Sequence, residues 1–547
     1  MIPVCLARLA PVLLAGLLAA ACATAPPAPP AVPRLVVVIV LDGLPQRQVT
    51  DYLDQLGRDG LRRFLDRGAW FPEARFPYAN TLTGPGHATI LTGASPAASG
   101  IIANEWLDPD TGAPVYCAGD PAHRYLGQGA TGIAGTSPRN LLAQTLGEVL
   151  VRADPRSKVV AVSGKDRGAI LLAGRAGAAY VFVPRTGEFS STTYYMPSHP
   201  AWVAAFNDAK PADRHFRAAW SPLLPEMAYG RSVPDGQPWF ASGGKLPMTM
   251  GEALDAPGPA FYASLYRSPF LDALTLDFAR AAIAGERLGA DDAPDLLAVS
   301  LSSHDYVNHA WGAESRLSHD HVLQVDELLA RFFRDLDRTI GRDGYVAVLT
   351  ADHGFMPVPE FLAGQGRDAG RLDARATLAR VEAALAAKFG AGPWLRGWSA
   401  QGLLFDRALA NARGVDANAL ATLARRSLLA EPGIEAVHTR AQIEGGDDAG
   451  APWIAEVRRG WHRERSPDLQ VVMKPGWMLT TYRTGTTHGS PHDYDARVPI
   501  LAWGPRWVKP GRRDGPASVT DIAPSLAAML GLAAPSASEG RALPLAP

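Results

Sequence analysis

The 547-residue chain has little cysteine and no excess of charge of either sign. Its three cysteines are Cys5, Cys22 and Cys117, and only Cys117 lies beyond the N-terminal region, so an internal disulfide framework is excluded. We assign Cys117 no role, because a buried inert thiol is the commoner case. Lys and Arg number 53 against 54 Asp and Glu, so the basic footprint of a nucleic-acid-binding protein is absent as well.

The N-terminus has no hydrophobic run long enough to span a bilayer. Arg8 is followed by a short apolar stretch to Ala21, which is typical of a secretory signal, and we expect residues 1–22 to be that signal. Cys22 follows three alanines, which resembles a bacterial lipoprotein signal, although alanine replaces the usual leucine three places earlier. Ordinary cleavage is the alternative. Residues 23–33, rich in Ala and Pro, form an expected tether. Both alternatives predict the periplasm or cell envelope.

The body of the chain is predicted to have an α/β fold. Hydrophobic residues make up 47% and charged residues 20%, which excludes wholesale disorder. Four short apolar runs each end in a polar, charged cluster, as buried strands of a parallel sheet do. These runs are Leu35 to Leu41, Lys158 to Val162, Leu296 to Leu301 and Tyr345 to Leu349. Helical spacing of apolar residues predicts a helix over Val322 to Leu336 between the last two.

One large domain, residues 34–547, is expected to carry two insertions. These are residues 181–260 and 371–460, which lack strand ends that carry charged residues. Late apolar runs at Leu469 to Met473 and Val498 to Trp503 predict two further strands.

Four strand ends bring chemistry-bearing residues to one edge of the predicted sheet. Ligands of open α/β sheets bind outside the carboxyl ends of the strands, and the residues there are Asp42, Lys165, Asp305 and Asp352. A single strand-end aspartate is more often a helix cap or turn former. Four such residues together favour a functional site.

Histidines join these aspartates at spacings that suit metal ligation. Asp305 and His309 stand four apart, so a helical turn would put both on one face. Asp352 and His353 are adjacent, and His488 follows a glycine-containing loop. The mixed N and O donors suit zinc better than calcium, and six candidates predict two Zn²⁺ ions. They are Asp42, Asp305, His309, Asp352, His353 and His488. We expect a solvated or capping role for the other nearby histidines, His304, His319, His321 and His492.

Thr83 is the candidate nucleophile. The segment NTLTGPGHATILTG places it near the N-cap of a helix that ends before Gly93, and capping alone is the alternative interpretation. An anion at that helix start would meet free N–H groups, and a zinc ion would make the hydroxyl lose its proton more readily. Thr81 and Thr89 are the alternative hydroxyls.

Seven short motifs together resemble the alkaline phosphatase superfamily, specifically its exported bacterial branch with a threonine nucleophile. They are LDG at Asp42, TGPGH at Thr83, IIANEW with Asn104, SGKDRGA with Lys165 and Arg167, DYVNH with Asp305 and His309, TADHG with Asp352 and His353, and THGS with His488. The resemblance implies an α/β/α sandwich with a largely parallel central sheet and inserted cap regions.

The resemblance also implies a role for each motif residue. One zinc would be held by Asp305, His309 and His488, and the other by Asp42, Asp352, His353 and the Thr83 oxygen. Thr83 would form a phosphothreonine intermediate. Three further residues, Asn104, Lys165 and Arg167, would bind the non-bridging phosphoryl oxygens.

Lys165 and Arg167 favour phosphate monoesters as substrates, since a dianion with three such oxygens suits a point charge and a guanidinium fork. We therefore expect an exported, zinc-dependent alkaline phosphatase. The alternatives are a phosphodiesterase or nucleotide pyrophosphatase of the same superfamily, and a non-catalytic lipoprotein that binds metal or phosphate. Sulfatases, which are relatives, need a modified Cys or Ser in a C/S-x-P-S-R context, and Cys117 in YCAGDP does not provide it.

Overall fold

The computed structural model describes residues 32–127, 132–446 and 450–547. The expected signal, Cys22 and nearly all of the expected tether lie outside the described residues. Pro33 to Pro547 form one compact unit. Among the described helices, none is both long and apolar enough to cross a membrane.

The strands of the described residues are mostly short. In chain order they are β1 Leu35–Leu41, β2 Ala69–Phe71, β3 Ala74–Arg75, β4 Glu105–Leu107, β5 Pro114–Tyr116, β6 Gly119–Arg124, β7 Ala134–Thr136, β8 Val159–Ser163, β9 Ala178–Val183, β10 Glu188–Ser190, β11 Ala219–Trp220, β12 Met248–Thr249, β13 Asp295–Leu301, β14 Tyr345–Thr350, β15 Gly370–Asp373, β16 Leu395–Ser399, β17 Gly402–Phe405, β18 Ile434–Thr439, β19 Leu469–Met473, β20 Trp477–Thr480, β21 Ile500–Trp503, β22 Gly511–Arg512 and β23 Ala517–Ser518.

The helices alternate with these strands. In chain order they are α1 Gln46–Asp51, α2 Leu61–Arg67, α3 Thr83–Thr92, α4 Pro96–Ser99, α5 Leu146–Ala153, α6 Asp166–Ala173, α7 Ala201–Asp208, α8 Pro259–Ser264, α9 Pro269–Glu286, α10 Ser303–Trp311, α11 Arg316–Thr339, α12 Pro359–Gly364, α13 Ala374–Phe389, α14 Arg407–Ala412, α15 Ala417–Leu429, α16 Arg440–Gly445, α17 Ile454–Gly460, α18 Asp493–Ala496 and α19 Ile522–Met529.

The central sheet is built around the four predicted strands, which are consecutive neighbours in the order β8, β13, β1, β14. All three pairings are parallel, and every residue of β1 is buried, as its unbroken run of Val, Ile and Leu predicts. Leu41 pairs with Leu301, so these strands end level with each other. The residues that follow them therefore meet at one edge, as expected.

Beyond these four strands the sheet becomes mixed. In the described part of the chain its full order is β10-β9-β8-β13-β1-β14-β21-β2-β22. β9 continues the parallel set, whereas β10 and β21 pair antiparallel with their neighbours. The predicted α/β fold with a largely parallel sheet and helices on both sides is confirmed.

Of the two ranges expected to be insertions, the first lies only partly outside this sheet. β9 and β10 belong to the central sheet, so the part of residues 181–260 outside it starts after Ser190. Its aromatic residues Trp220 and Phe240 pack on Trp311 of α10. Residues 371–460 contribute three strands to a smaller sheet in the order β16-β17-β19-β18. The predicted strand Leu469 to Met473 is β19 of this smaller sheet, which packs against α13 and α15.

Candidate active site

The first group of candidate ligands lies on α10 and on the loop before α18. Asp305 and His309 stand one turn apart on α10, as predicted, and His309 Nε2 lies 3.4 Å from Asp305 Oδ1. His488 Nε2 lies 3.5 Å from the same oxygen. Nδ1 of each ring donates to a backbone carbonyl. His309 donates to the Thr486 carbonyl at 2.8 Å, and His488 donates to the Thr81 carbonyl at 2.9 Å. Both Nε2 atoms are thereby left as metal donors.

The second group follows β1 and β14. His353 Nε2 lies 3.4 Å from Asp352 Oδ2 and 3.6 Å from Asp42 Oδ1. Thr83 Oγ1 is 3.4 Å from the same nitrogen, while His353 Nδ1 donates to the Gly354 carbonyl at 2.9 Å. The His353 and His488 rings stack with centroids 3.4 Å apart, so the two groups adjoin.

These donors fit divalent cations. Asp42 Oδ1 and Asp305 Oδ1 are buried and have no hydrogen-bond partner, which is costly for carboxylates. Burial, followed by the negative charge of Asp352, raises the pKa of Asp42 well above its ordinary value. A divalent cation would offset the cost of burying the unpartnered carboxylate oxygens and would favour the charged form of Asp42. Imidazole nitrogens and carboxylate oxygens are the ligand types that zinc accepts.

Exposure within the site is uneven. The His309 side chain is 38% exposed, whereas those of His488 and Asp305 are 4% exposed. Asp42 and His353 are fully buried. The site therefore opens to solvent beside His309, at the first group.

Thr83 is the first residue of α3, and Leu82 occupies the N-cap position. The predicted position of Thr83 near the N-cap is confirmed, and so is the predicted end before Gly93, which is left-handed at φ 67°. Of the alternative hydroxyls, Thr81 donates to the Ser490 carbonyl and Thr89 to the Ala94 carbonyl. Of the three hydroxyls, Thr83 is the one hydrogen-bonded to a candidate metal ligand.

The amides that follow Thr83 at the start of α3 are not free for an anion. Gly84 N donates to Asn104 Oδ1 at 2.6 Å, Gly86 N donates to the Leu82 carbonyl, and Pro85 has no N–H. The predicted free N–H groups are therefore not found at residues 84–86, because a side-chain amide and the helix itself use the two amides there. The Gly84 contact instead orients Asn104, whose Nδ2 is left to donate elsewhere.

Lys165 and Arg167 lie at the start of α6. The Lys165 ammonium lies 2.8 Å from Asp42 Oδ2 and 2.6 Å from Asp305 Oδ2, so it contacts both ligand groups. Burial alone would lower the pKa of Lys165, but the charges of Asp305 and Asp42 raise it above its ordinary value. Arg167 Nε has no hydrogen-bond partner, and Asp166 beside it accepts from the Tyr116 hydroxyl.

The histidines expected to be solvated are all buried. His304 and His321 contact each other through their Nδ1 atoms, 3.2 Å apart, and His492 Nε2 donates to the Met473 carbonyl. Solvation was the wrong expectation, but a structural role agrees with these contacts. Cys117 is buried, and burial raises the pKa of its thiol to about 12.

His87 is a site residue that the sequence reasoning missed. Its Nδ1 lies 3.2 Å from Asp352 Oδ2, and Asp42, His87 and Asp352 form a cluster of potential metal ligands. The available signal was its position four residues after Thr83, on the same face of α3.

Residues 36–495 match the family model of type I phosphodiesterase / nucleotide pyrophosphatase. A relative from Myroides odoratus, named calcium-transporting ATPase, is 33% identical over 93% of each chain. Alkaline phosphatase PafA from Elizabethkingia meningoseptica is 32% identical, also over 93% of each chain. The crystal structure of wild-type PafA matches with a TM-score of 0.86 at 31% identity, covering 93% of this chain and 98% of that one. A PafA variant with a threonine, an asparagine, a lysine and an arginine replaced matches with the same score, at 30% identity over 94% and 99%.

Proposed function

Since this chain belongs to the type I phosphodiesterase / nucleotide pyrophosphatase family and is a phosphatase of the alkaline phosphatase type, we propose that it hydrolyses phosphate monoesters through a phosphothreonine at Thr83. The observation that carries this proposal is the 3.4 Å contact between Thr83 Oγ1 and His353 Nε2, inside the second ligand group. A hydroxyl that served only to begin a helix would not need that neighbour.

Two Zn²⁺ ions are the proposed cofactors. Asp305, His309 and His488 would hold one, and Asp42, Asp352, His353 and Thr83 the other. When bound, they would lower the pKa of the attacking hydroxyl and stabilise negative charge on the leaving oxygen.

The residues of this chain carry the remaining steps. Thr83 Oγ1 loses its proton to solvent and attacks phosphorus, the Thr83 O–P bond forms, and the ester P–O bond breaks. The alcohol takes a proton from solvent and leaves on the open side beside His309. Water then attacks the phosphothreonine, which releases phosphate and returns the proton to Thr83. Asn104, Lys165 and Arg167 would hold the non-bridging oxygens throughout.

The spacing of these four polar residues supports their assignment. In the PafA variant the replaced threonine, asparagine, lysine and arginine stand 21, 62 and 2 positions apart in order. Thr83, Asn104, Lys165 and Arg167 stand 21, 61 and 2 apart. Two cationic side chains, Lys165 and Arg167, favour a monoester dianion over a diester, which carries one charge less.

The deciding experiment compares kcat/KM for a nitrophenyl phosphate monoester with that for the matching bis-ester, on zinc-loaded and on chelated protein. We expect a large preference for the monoester on zinc-loaded protein and loss of this activity on chelation. A diester preference would move the chain to the phosphodiesterase alternative. No metal-dependent turnover on either ester would favour a binding protein.

We also propose that the chain is exported to the periplasm or cell envelope by the signal expected in residues 1–22, and that Cys22 is either lipid-modified or lies unmodified at the terminus left by ordinary cleavage. Fractionation of cells that express wild type and Cys22→Ser distinguishes the two. A shift from membrane to soluble fraction in the variant supports a lipid anchor, and an unchanged soluble periplasmic protein supports ordinary cleavage.

A further inference from the structure

His87 is held on both of its ring nitrogens inside the protein. It is fully buried on α3, one turn beyond Thr83. Nδ1 lies 2.9 Å from the Thr83 carbonyl oxygen and 3.2 Å from Asp352 Oδ2, and Nε2 lies 2.8 Å from Ser300 Oγ. The ring thus connects the backbone of the proposed nucleophile to a proposed metal ligand.

These neighbours determine which nitrogen carries the proton. Two oxygen acceptors, a carbonyl and a carboxylate, face Nδ1, so Nδ1 carries the hydrogen and donates it to the Thr83 carbonyl. Nε2 is then the bare nitrogen and accepts the Ser300 hydroxyl hydrogen. A protonated Nδ1 has no lone pair for a metal, so His87 is not a ligand although it lies among ligands.

The space around the ring leaves it little freedom. A Cβ added at Gly168 of α6 would stand 3.3 Å from His87 Nε2 and 2.6 Å from Ser163 Oγ. One added at Gly86 would stand 2.1 Å from the Asp352 carbonyl oxygen. Helix α3 and the loop that carries Asp352 therefore approach closely, with His87 filling the contact.

We infer that His87 is a positioning residue, which fixes the Asp352 carboxylate for the second metal and the Thr83 backbone for attack. This inference rests on the proposed function. Asp352 Oδ1 is fixed separately by Gly43 N at 3.0 Å, whereas Oδ2 has no hydrogen-bond partner among the described residues and lies 3.2 Å from His87 Nδ1. The positive end of the Nδ1–H group therefore attracts Oδ2 electrostatically from the side of α3. Replacing a group that orients a metal ligand in this way typically lowers metal affinity or activity by about 10–100-fold.

The test uses three substitutions that keep different parts of the ring. His87→Asn places an amide near the position of Nδ1, His87→Gln places one near Nε2, and His87→Leu removes both. We expect His87→Leu and His87→Gln to weaken one of two zinc ions by about 10–100-fold in chelator competition and to lower kcat by a similar factor, with KM changed little. His87→Asn should retain most of the zinc affinity and most of kcat. For Ser300→Ala, both quantities should lie between those of His87→Asn and His87→Leu.

The control is His319→Asn, which changes a buried histidine that contacts Gln55, Ser232 and the Tyr52 ring rather than the candidate ligands. It should leave zinc affinity and kcat unchanged. Equal behaviour of His87→Leu and His87→Asn would overturn the inference, since it would leave only a space-filling role. If His87→Leu does not fold, the comparison of His87→Asn, His87→Gln and Ser300→Ala tests the inference in its place. A wild-type protein that binds no zinc would instead overturn the proposed function.

Discussion

The ammonium of Lys165 lies 2.6 Å from Asp305 Oδ2, and the same nitrogen contacts Asp42 in the other ligand group. One lysine therefore shares carboxylates with both proposed zinc sites. Since cations repel each other and Lys165 draws on the negative charge of the same two carboxylates, Lys165 should reduce zinc affinity while it assists phosphoryl binding.

We expect Lys165→Met to bind zinc more tightly, by roughly tenfold or about 1.4 kcal/mol, and to lose kcat/KM for a monoester. The measurements are chelator competition and steady-state kinetics. Arg167→Met is the matched control, because Arg167 is cationic but makes no ion pair with the ligand carboxylates among the described contacts. It should lose monoester activity with a smaller gain in zinc affinity. Equal gains in zinc affinity in Lys165→Met and Arg167→Met would contradict the expectation that Lys165 opposes zinc binding through direct contact with the carboxylates.

Thr83→Ala should keep both zinc ions and lose turnover by roughly 10³-fold or more, because the nucleophile is gone while the aspartate and histidine ligands remain. Thr83→Ser, which retains a hydroxyl, should keep measurable activity. Metal analysis and a phosphate-release assay check this. Undiminished phosphate release by Thr83→Ala would remove Thr83 from its proposed role.

Asn104→Asp should lower kcat/KM for a monoester by roughly tenfold or more, with little change in zinc content. The carboxylate can still accept the hydrogen bond from Gly84 N, but it has no N–H for a phosphoryl oxygen and adds a negative charge. Asn104→Ala separates the two effects, since it removes the donor without adding charge. A variant with wild-type kcat/KM would show that Asn104 serves only the helix start.

His488→Ala and His353→Ala should each weaken a different zinc ion. His488 lies with Asp305 and His309, whereas His353 lies with Asp42 and Asp352. Loss of one ligand of a site should leave the other ion in place, so metal analysis after mild chelation should find about one zinc per chain in each variant. Two tightly bound zinc ions in His488→Ala would contradict the ligand assignment.

The sheet edge was predictable from the sequence because its signals are local. The runs that form most of β1, β8, β13 and β14 are largely apolar, and each is followed within four residues by a charged residue. Asp305 and His309 were likewise predictable, since helical spacing alone puts them on one face.

Other features depend on contacts between distant segments, which no local pattern reports. The Gly84 amide donates to Asn104, 20 residues away, so it is not one of the free amides that the helix start predicts. His87 gains its place in the site from Ser300, 213 residues away. The strand at Leu469 to Met473 was predicted correctly as a strand, but its membership of the smaller sheet depends on β17 and β18.

Acid should destabilise the fold partly through His319. Its ring stacks on Tyr52 with centroids 3.6 Å apart, its Nε2–H donates to Gln55 Oε1 at 2.6 Å, and burial lowers the pKa of His319 from 6.5 to about 4. The folded protein therefore binds fewer protons here than the unfolded chain between pH 6.5 and about 4. By linkage, the free energy of unfolding falls as the pH falls through that window, and this contribution is fully present above it.

Guanidinium unfolding of chelated protein at several pH values between 7.5 and 4.5 measures this dependence without interference from metal release. We expect His319→Asn to be less stable at pH 7.5 but to lose stability more slowly on acidification, by up to one proton in slope. His304 and His321, whose pKa values burial also lowers, keep part of the dependence in the variant. Identical slopes for wild type and His319→Asn would mean that the pKa of His319 is the same in the folded and the unfolded protein, and would contradict this prediction.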